Sequence, residues 1–182
     1  MRLGKDAMLI PRAILLTALC ALGSQAPAFA DQAQIDRGQY FVTISGCSDC
    51  HTPGALIGSP DKARILGGAD VGFGIPGVGV FIGPNLTPDK ETGVGNWTDA
   101  QIIAAMTTGK RPDGRTLSGV MPFEALSHLT PADAQAIVAY LRSLPAVKNA
   151  VPGPLGPQDK TDLLVSVIVP GAVYQAIQTP SK

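Results

Sequence analysis

The stretch "SGCSDCHT" sets Cys47, Cys50 and His51 on the spacing C-x-x-C-H. Three chemistries use side chains of these types. A dithiol redox pair belongs in alternating strands and helices, an alternation this chain lacks. A structural zinc site takes four ligands, usually as two pairs. Beyond the two cysteines the chain offers His51 and His128 and no second pair at a usual spacing. Covalent haem attachment remains, and it uses this spacing. One helical turn lets two sulfurs reach two edges of one macrocycle while the next residue faces the iron. Cys47 and Cys50 are therefore the expected thioether positions and His51 the expected proximal iron ligand.

The far side of the iron needs a second ligand or an open position. His128, Met106 and Met121 are the candidates. Met106 falls on the apolar side of a helix pattern, where methionine more often fills a core. His128 stands just before a helix cap and suits a surface or capping contact. Met121 sits in "SGVMPFEAL", an irregular segment stiffened by Pro122, and a loop can carry a thioether across a haem face. Met121 is the favoured distal ligand.

Three helices are expected to position these groups. The first, over Asp31–Gly46, carries Ala33, Ile35, Tyr40, Phe41 and Ile44 at helical spacing and ends at the cysteine loop. Gly38 inside it costs about 0.5–1 kcal/mol against alanine, which calls for close approach of another helix. The second starts at Thr98, with Gln101 completing a capping box and Gly109 as the stop. The third starts at the Thr130 cap with Pro131 in its first turn, stops before Pro145, and presents Ala134, Ile137, Val138 and Leu141 on one face. Between the first two, residues 52–84 contain nine glycines and read as extended loop. Alternation at Val71, Phe73, Ile75 and again at Val78, Val80, Ile82, around Pro76–Gly77, allows a short hairpin or cover loop. Gly72, Gly74 and Gly77 match the spacing of a dinucleotide fingerprint, but Pro76 and the lack of a following helix argue against one.

Residues 1–30 read as a secretory leader: Arg2, Lys5 and Arg12, an apolar run from Ala13 to Leu22, and "AFA" before Asp31. The run is too short to span a bilayer. Cys20 lies within it behind Leu19, too large for a lipid-attachment signal. Cleavage after Ala30 would leave residues 31–182, a size normal for one domain. Removing three basic and one acidic residue from 14 of each leaves 11 and 13, a net charge of −2, which gives no reason to expect nucleic acid. No other segment is long and apolar enough for a transmembrane anchor. The expected organisation is a leader over 1–30, a domain over 31–150, and a tail over 151–182. The tail begins with the Pro/Gly-rich "VPGPLGPQDK" and continues into the apolar run Leu163–Val169, a strand, strap or docking segment.

The motifs CSDCH, "GPNLTPDKETGVGNWTDAQI", "VMPF" and "LTPADAQAIVAYLRSLP", in this order, resemble class I type cytochromes c over about residues 34–148. More narrowly, they resemble the cytochrome c domains in haem subunits of bacterial alcohol, aldehyde and sugar-acid dehydrogenases. The resemblance implies an all-α fold around one covalently bound haem c, with the first and last helices crossing near Gly38, Tyr40 and Ile137–Leu141. It implies Cys47 and Cys50 as thioether anchors, His51 as proximal ligand and Met121 as distal ligand. Phe41, Ile82, Leu86, Trp97 and Phe123 would form the apolar shell. One C-x-x-C-H implies one haem, unlike the multi-haem subunits.

His/Met ligation fills both axial positions and raises the reduction potential. The expected function is that of a periplasmic electron carrier or electron-transfer subunit, not itself an enzyme, between a dehydrogenase partner and a downstream acceptor. Two alternatives stand beside it: a haem enzyme or gas or peroxide sensor with a displaceable sixth position, and a docking subunit that uses its tail. Lys110, Arg111 and Arg115 form a short basic cluster, either a solvated loop face or a docking or haem-propionate patch.

Overall fold

The computed structural model describes residues 31–178. The expected leader, Cys20 included, lies outside the described residues. Asp31 caps the first helix, α1 (Gln32–Ile44), by accepting from the Gln34 N–H at 2.7 Å. The second, α2 (Cys47–His51), is a single turn made by CSDCH itself, entered through Gly46 at φ 65°. The third, α3 (Asp99–Thr108), carries the expected capping box between Thr98 and Gln101 and stops at Gly109 with φ 70°. A short α4 (Phe123–Leu126) follows Pro122, and α5 (Pro131–Ser143) starts from the Thr130 cap with proline in its first turn.

The apolar faces of α1, α3 and α5 meet in one core of Val42, Ile102, Met106, Ala134, Ile137, Val138 and Leu141, joined by Leu66, Val94 and Leu126. Each large aliphatic side chain buried there stabilises the fold by about 1.5–3 kcal/mol. Gly38 is where α1 and α5 touch. A Cβ at this position would lie 1.9 Å from the Ala136 carbonyl oxygen and 2.8 Å from Tyr140 Cβ. Tyr40, by contrast, is exposed and meets Phe41 edge-on. Two ion pairs fasten the helices. Arg37 of α1 holds Asp133 of α5 at 2.5 Å, and Arg142 of α5 donates to the carbonyls of Val94 and Trp97 and to Asp99.

The expectation of an all-α fold is corrected here. A three-stranded mixed sheet in the order β2-β1-β3 lies beside the helices. Strands β1 (Val71–Ile75) and β2 (Gly79–Ile82) form an antiparallel hairpin. Its turn has Pro76 followed by Gly77 at φ 77°, and the Val78 N–H returns to the Ile75 carbonyl at 2.9 Å. Strand β3 (Leu164–Val167) comes from the tail and pairs parallel to β1. The physical reason lies in the glycines. Cβ atoms at Gly72 and Gly74 would lie 2.4 Å from Val80 Cγ1 and 2.8 Å from Val165 Cγ1. Glycine in β1 thus makes room for branched side chains from both neighbours. The fingerprint-like spacing of Gly72, Gly74 and Gly77 belongs to this sheet and its turn.

Past β3 the chain ends its described part in α6 (Gly171–Gln178), which buries none of its residues. No helix among the described residues is long and apolar enough to cross a membrane.

Candidate functional site

Cys47, Cys50 and His51 occupy the one turn of α2 between the end of α1 and the glycine-rich loops. Neither cysteine is in a disulfide. Burial pushes both thiols above the ordinary cysteine range, with the Asp49 carboxylate adding to the effect on each. Redox-active dithiols have lowered values, the opposite direction from this pair. Among the described residues, no group of three or more His, Cys, Asp or Glu could hold a metal ion by itself. Neither observation supports the zinc or the dithiol reading.

His51 is buried, with 6% of its surface exposed. Its Nδ1 lies 2.8 Å from the Pro84 carbonyl oxygen. A carbonyl only accepts, so Nδ1 carries the hydrogen and, in the neutral ring, Nε2 keeps its lone pair. Burial holds the imidazole neutral by lowering its pKa, against the smaller opposing pull of the Pro84 hydrogen bond. Such an Nδ1–H···O=C contact is the outer partner that fixes the orientation of a metal-binding histidine.

Two loops hold this residue. On one side Gly83 packs so tightly that a Cβ would meet the Cys50 carbonyl oxygen at 1.7 Å and His51 Nδ1 at 3.3 Å. On the other, the Gly68 N–H donates to the His51 carbonyl at 2.8 Å. The loops are joined to each other where Ala69 N–H reaches the Gly83 carbonyl at 2.8 Å and Leu86 N–H reaches the Leu66 carbonyl at 2.8 Å. Leu66 is fully buried at φ 58°, a backbone state costing on the order of 1–3 kcal/mol for a non-glycine residue. Its N–H donates to Thr52 Oγ1 at 2.9 Å, next to His51.

Met121 lies between α3 and α4, with its N–H on the Ser118 carbonyl at 3.0 Å and its carbonyl accepting from Phe123 N–H at 2.8 Å. It is half-buried against the same core on which Cys47 packs. Met106 is inside that core, as expected of a filling residue. His128 is exposed and, with Phe41, Ile44, Ser45, Pro122 and Leu129, lines an apolar cleft between the end of α1 and α4. Of the expected shell, Phe41, Leu86 and Trp97 pack on the core. Ile82 is half-buried in β2, and Phe123 covers Gly109. Within the basic cluster one carboxylate, Asp113, is shared between Arg111 (3.2 Å) and Arg115 (3.0 Å), and Arg111 also stacks on Trp97 at 4.9 Å.

Sequence reasoning missed Gly83, Pro84, Asn85 and Thr87. Asn85 and Thr87 are nearly or fully buried, and "PNLTPD" is the signal that contained them. The arrangement fits a covalently held haem: two thiols in one helical turn, a neutral imidazole with Nε2 left over, and a glycine where any side chain would strike the ligand.

A helical core with a C-x-x-C-H turn and a carbonyl-held histidine is the architecture of a c-type cytochrome. The cytochrome c family model matches residues 35–145, and the chain belongs to that family, whose domain carries covalent haem c. It is similar to the fructose dehydrogenase cytochrome subunit of Gluconobacter japonicus, 37% identical over 116 residues, covering 61% of this chain and 22% of that protein. It is 37% identical over 111 residues to the alcohol dehydrogenase (quinone) cytochrome c subunit of Gluconobacter oxydans, covering 61% of this chain and 21% of that one. The gluconate 2-dehydrogenase cytochrome c subunit of Pantoea cypripedii is 28% identical over 114 residues, covering 61% of this chain and 23% of that protein. The chain thus spans less than a quarter of the length of these relatives.

Proposed function

We propose that this chain is a periplasmic, single-haem electron-transfer cytochrome that takes electrons one at a time from a dehydrogenase partner and passes them to a downstream acceptor. In this reading Cys47 and Cys50 form the two thioethers, His51 is the proximal iron ligand and Met121 the distal one. The observation that carries it is the buried His51 ring, with Nδ1–H on the Pro84 carbonyl and Nε2 left for iron. The dehydrogenase partner is supported by the names of the relatives, which are cytochrome subunits of such enzymes. The export reading rests on the basic start, apolar run and "AFA" of residues 1–30.

The haem supplies reversible one-electron storage at its iron. The protein's part is to hold and shield it. His51 is kept neutral and fixed in angle, so its bond to iron need not reorganise between oxidation states. The core side of the site, built on Phe41, Leu86 and Trp97, excludes water. A thioether from Met121 would favour the reduced state and close the sixth position to small molecules.

Optical spectroscopy tests the assignment. The oxidised protein is expected to show the weak far-red charge-transfer band of methionine-ligated haem, and Met121→Ala is expected to abolish it. A wild type that lacks the band and readily binds carbon monoxide when reduced would overturn the carrier reading in favour of a gas or peroxide site.

A further inference from the structure

The chain does not leave the domain when α5 ends. Beyond the matched family region, residues 147–155 run back across both loops that grip His51. Val147 donates its N–H to Thr87 Oγ1 at 3.1 Å, and its carbonyl accepts from Asn85 Nδ2 at 2.6 Å. Thr87 Oγ1 donates in turn to Asn85 Oδ1 at 2.7 Å, and the Thr87 N–H binds the same oxygen at 2.9 Å. Asn149 donates its N–H to Thr92 Oγ1 at 3.0 Å and its Nδ2 to the Gly67 carbonyl at 2.8 Å. Val147 and Val151 cover Gly67 and Gly68, where added Cβ atoms would lie 3.1 Å and 2.3 Å from their methyl carbons. Leu155 then exchanges two backbone hydrogen bonds of 2.9 Å with Val80 of the hairpin that leads into Gly83 and Pro84.

The centre of the network is buried and paired. Asn85 and Thr87 are 2% and 0% exposed, and no buried side-chain nitrogen or oxygen among the described residues lacks a partner. Asn85 follows Pro84 directly, so fixing the Asn85 side chain fixes the peptide whose carbonyl accepts the hydrogen bond from His51 Nδ1–H. Gly68, whose N–H holds the His51 carbonyl, lies under Val151 and beside Asn149.

We propose that residues 147–155 are a strap that clamps the two loops gripping His51, with Thr87 as its principal positioning residue, so that this segment helps set the redox potential of the haem. The inference rests on His51 being the proximal ligand. A firm Nδ1–H···O=C bond makes the imidazole a stronger electron donor, which favours oxidised iron. Loosening the strap weakens that bond, and the equilibrium moves toward the reduced form.

Thr87→Val keeps the shape of the side chain and removes its hydroxyl, while Thr87→Ser keeps the hydroxyl. In the full-length holoprotein, Thr87→Val is expected to shift the one-electron equilibrium toward reduction by about tenfold, about 59 mV upward in a spectroelectrochemical titration. Exchange of the His51 Nδ1 proton, followed by NMR of the reduced protein, is expected to quicken. Thr87→Ser should restore both. A Thr87→Val protein with lowered thermal stability but wild-type potential and proton exchange would overturn the proposal, since Thr87 would then only hold the fold. If Thr87→Val yields no holoprotein, Asn149→Ala carries the test with shifts in the same directions, and wild-type values for both would overturn it. His51→Ala separates the two levels: retention of a low-spin haem spectrum means that the ligand assignment has failed, not the strap.

Discussion

Pro84 has no N–H to give, yet its carbonyl decides which nitrogen of His51 carries the proton. Gly83 decides how close that carbonyl comes. A methyl group at 83 would have to push either the Cys50 carbonyl or the strand end away, and neither is a flexible side chain. Gly83→Ala is therefore expected to cost about 1–3 kcal/mol and to lower the yield of haem-loaded protein. Chemical denaturation and the ratio of haem to polypeptide check the two effects. The three expected haem-binding residues, Cys47, Cys50 and His51, stand out in the sequence because their chemistry would reside in side chains at a fixed spacing. Pro84 was not, because a backbone acceptor leaves no mark in residue type. Asn85 and Thr87 were visible only as part of a specific-looking stretch, and their roles depend on Val147 and Asn149, some 60 residues away.

The helices were legible for a local reason: a capping box, a proline in a first turn and a terminal glycine act within a few residues of themselves. Gly38 extended that legibility to a tertiary contact. Helix propensity alone favours alanine there by about 0.5–1 kcal/mol. The steric cost of about 1–3 kcal/mol against the α5 backbone is larger, so Gly38→Ala is expected to destabilise the protein in denaturant unfolding. The same helix pair should show in its acid response. Arg37 and, secondarily, Thr130 hold the Asp133 carboxyl below the usual aspartate range. A depressed folded value stabilises the fold above the unfolded aspartate pKa of about 3.9, and this contribution disappears as pH falls through the folded value. Arg37→Ala raises the folded value, so acid unfolding followed by circular dichroism is expected to begin at higher pH than in wild type. Above pH 5 this pH-dependent difference should be flat.

At the scale of the whole molecule, the sheet is what the pattern of residues did not reveal. The hairpin was suggested by alternation around Pro76–Gly77, but the pairing of β1 with β3 joins Val71 to Leu164 across 93 positions. No local signal specifies such a partner. Helix α6, none of whose own residues is buried, differs from β3 in what its removal would cost. Deleting residues 171–182 is expected to leave the thermal midpoint essentially unchanged, within the roughly 0.5 kcal/mol typical of surface changes. It should also improve solubility, because Val173, Tyr174 and Ile177 are exposed. Gly79→Val should behave differently, since its side chain would strike the Leu155 carbonyl at 2.1 Å from a backbone at φ 147°. Differential scanning calorimetry of the two variants would separate a dispensable end from a stitched segment.

The parallel pairing of β3 with β1 also carries an order in time. A chain that emerges from its N-terminal end completes Cys47–His51 long before Leu164–Val167 has been made, and contacts of such separation close late. The hairpin therefore keeps an open edge on β1 until β3 has been made, and the strand that covers that edge is the latest part of the sheet to be supplied.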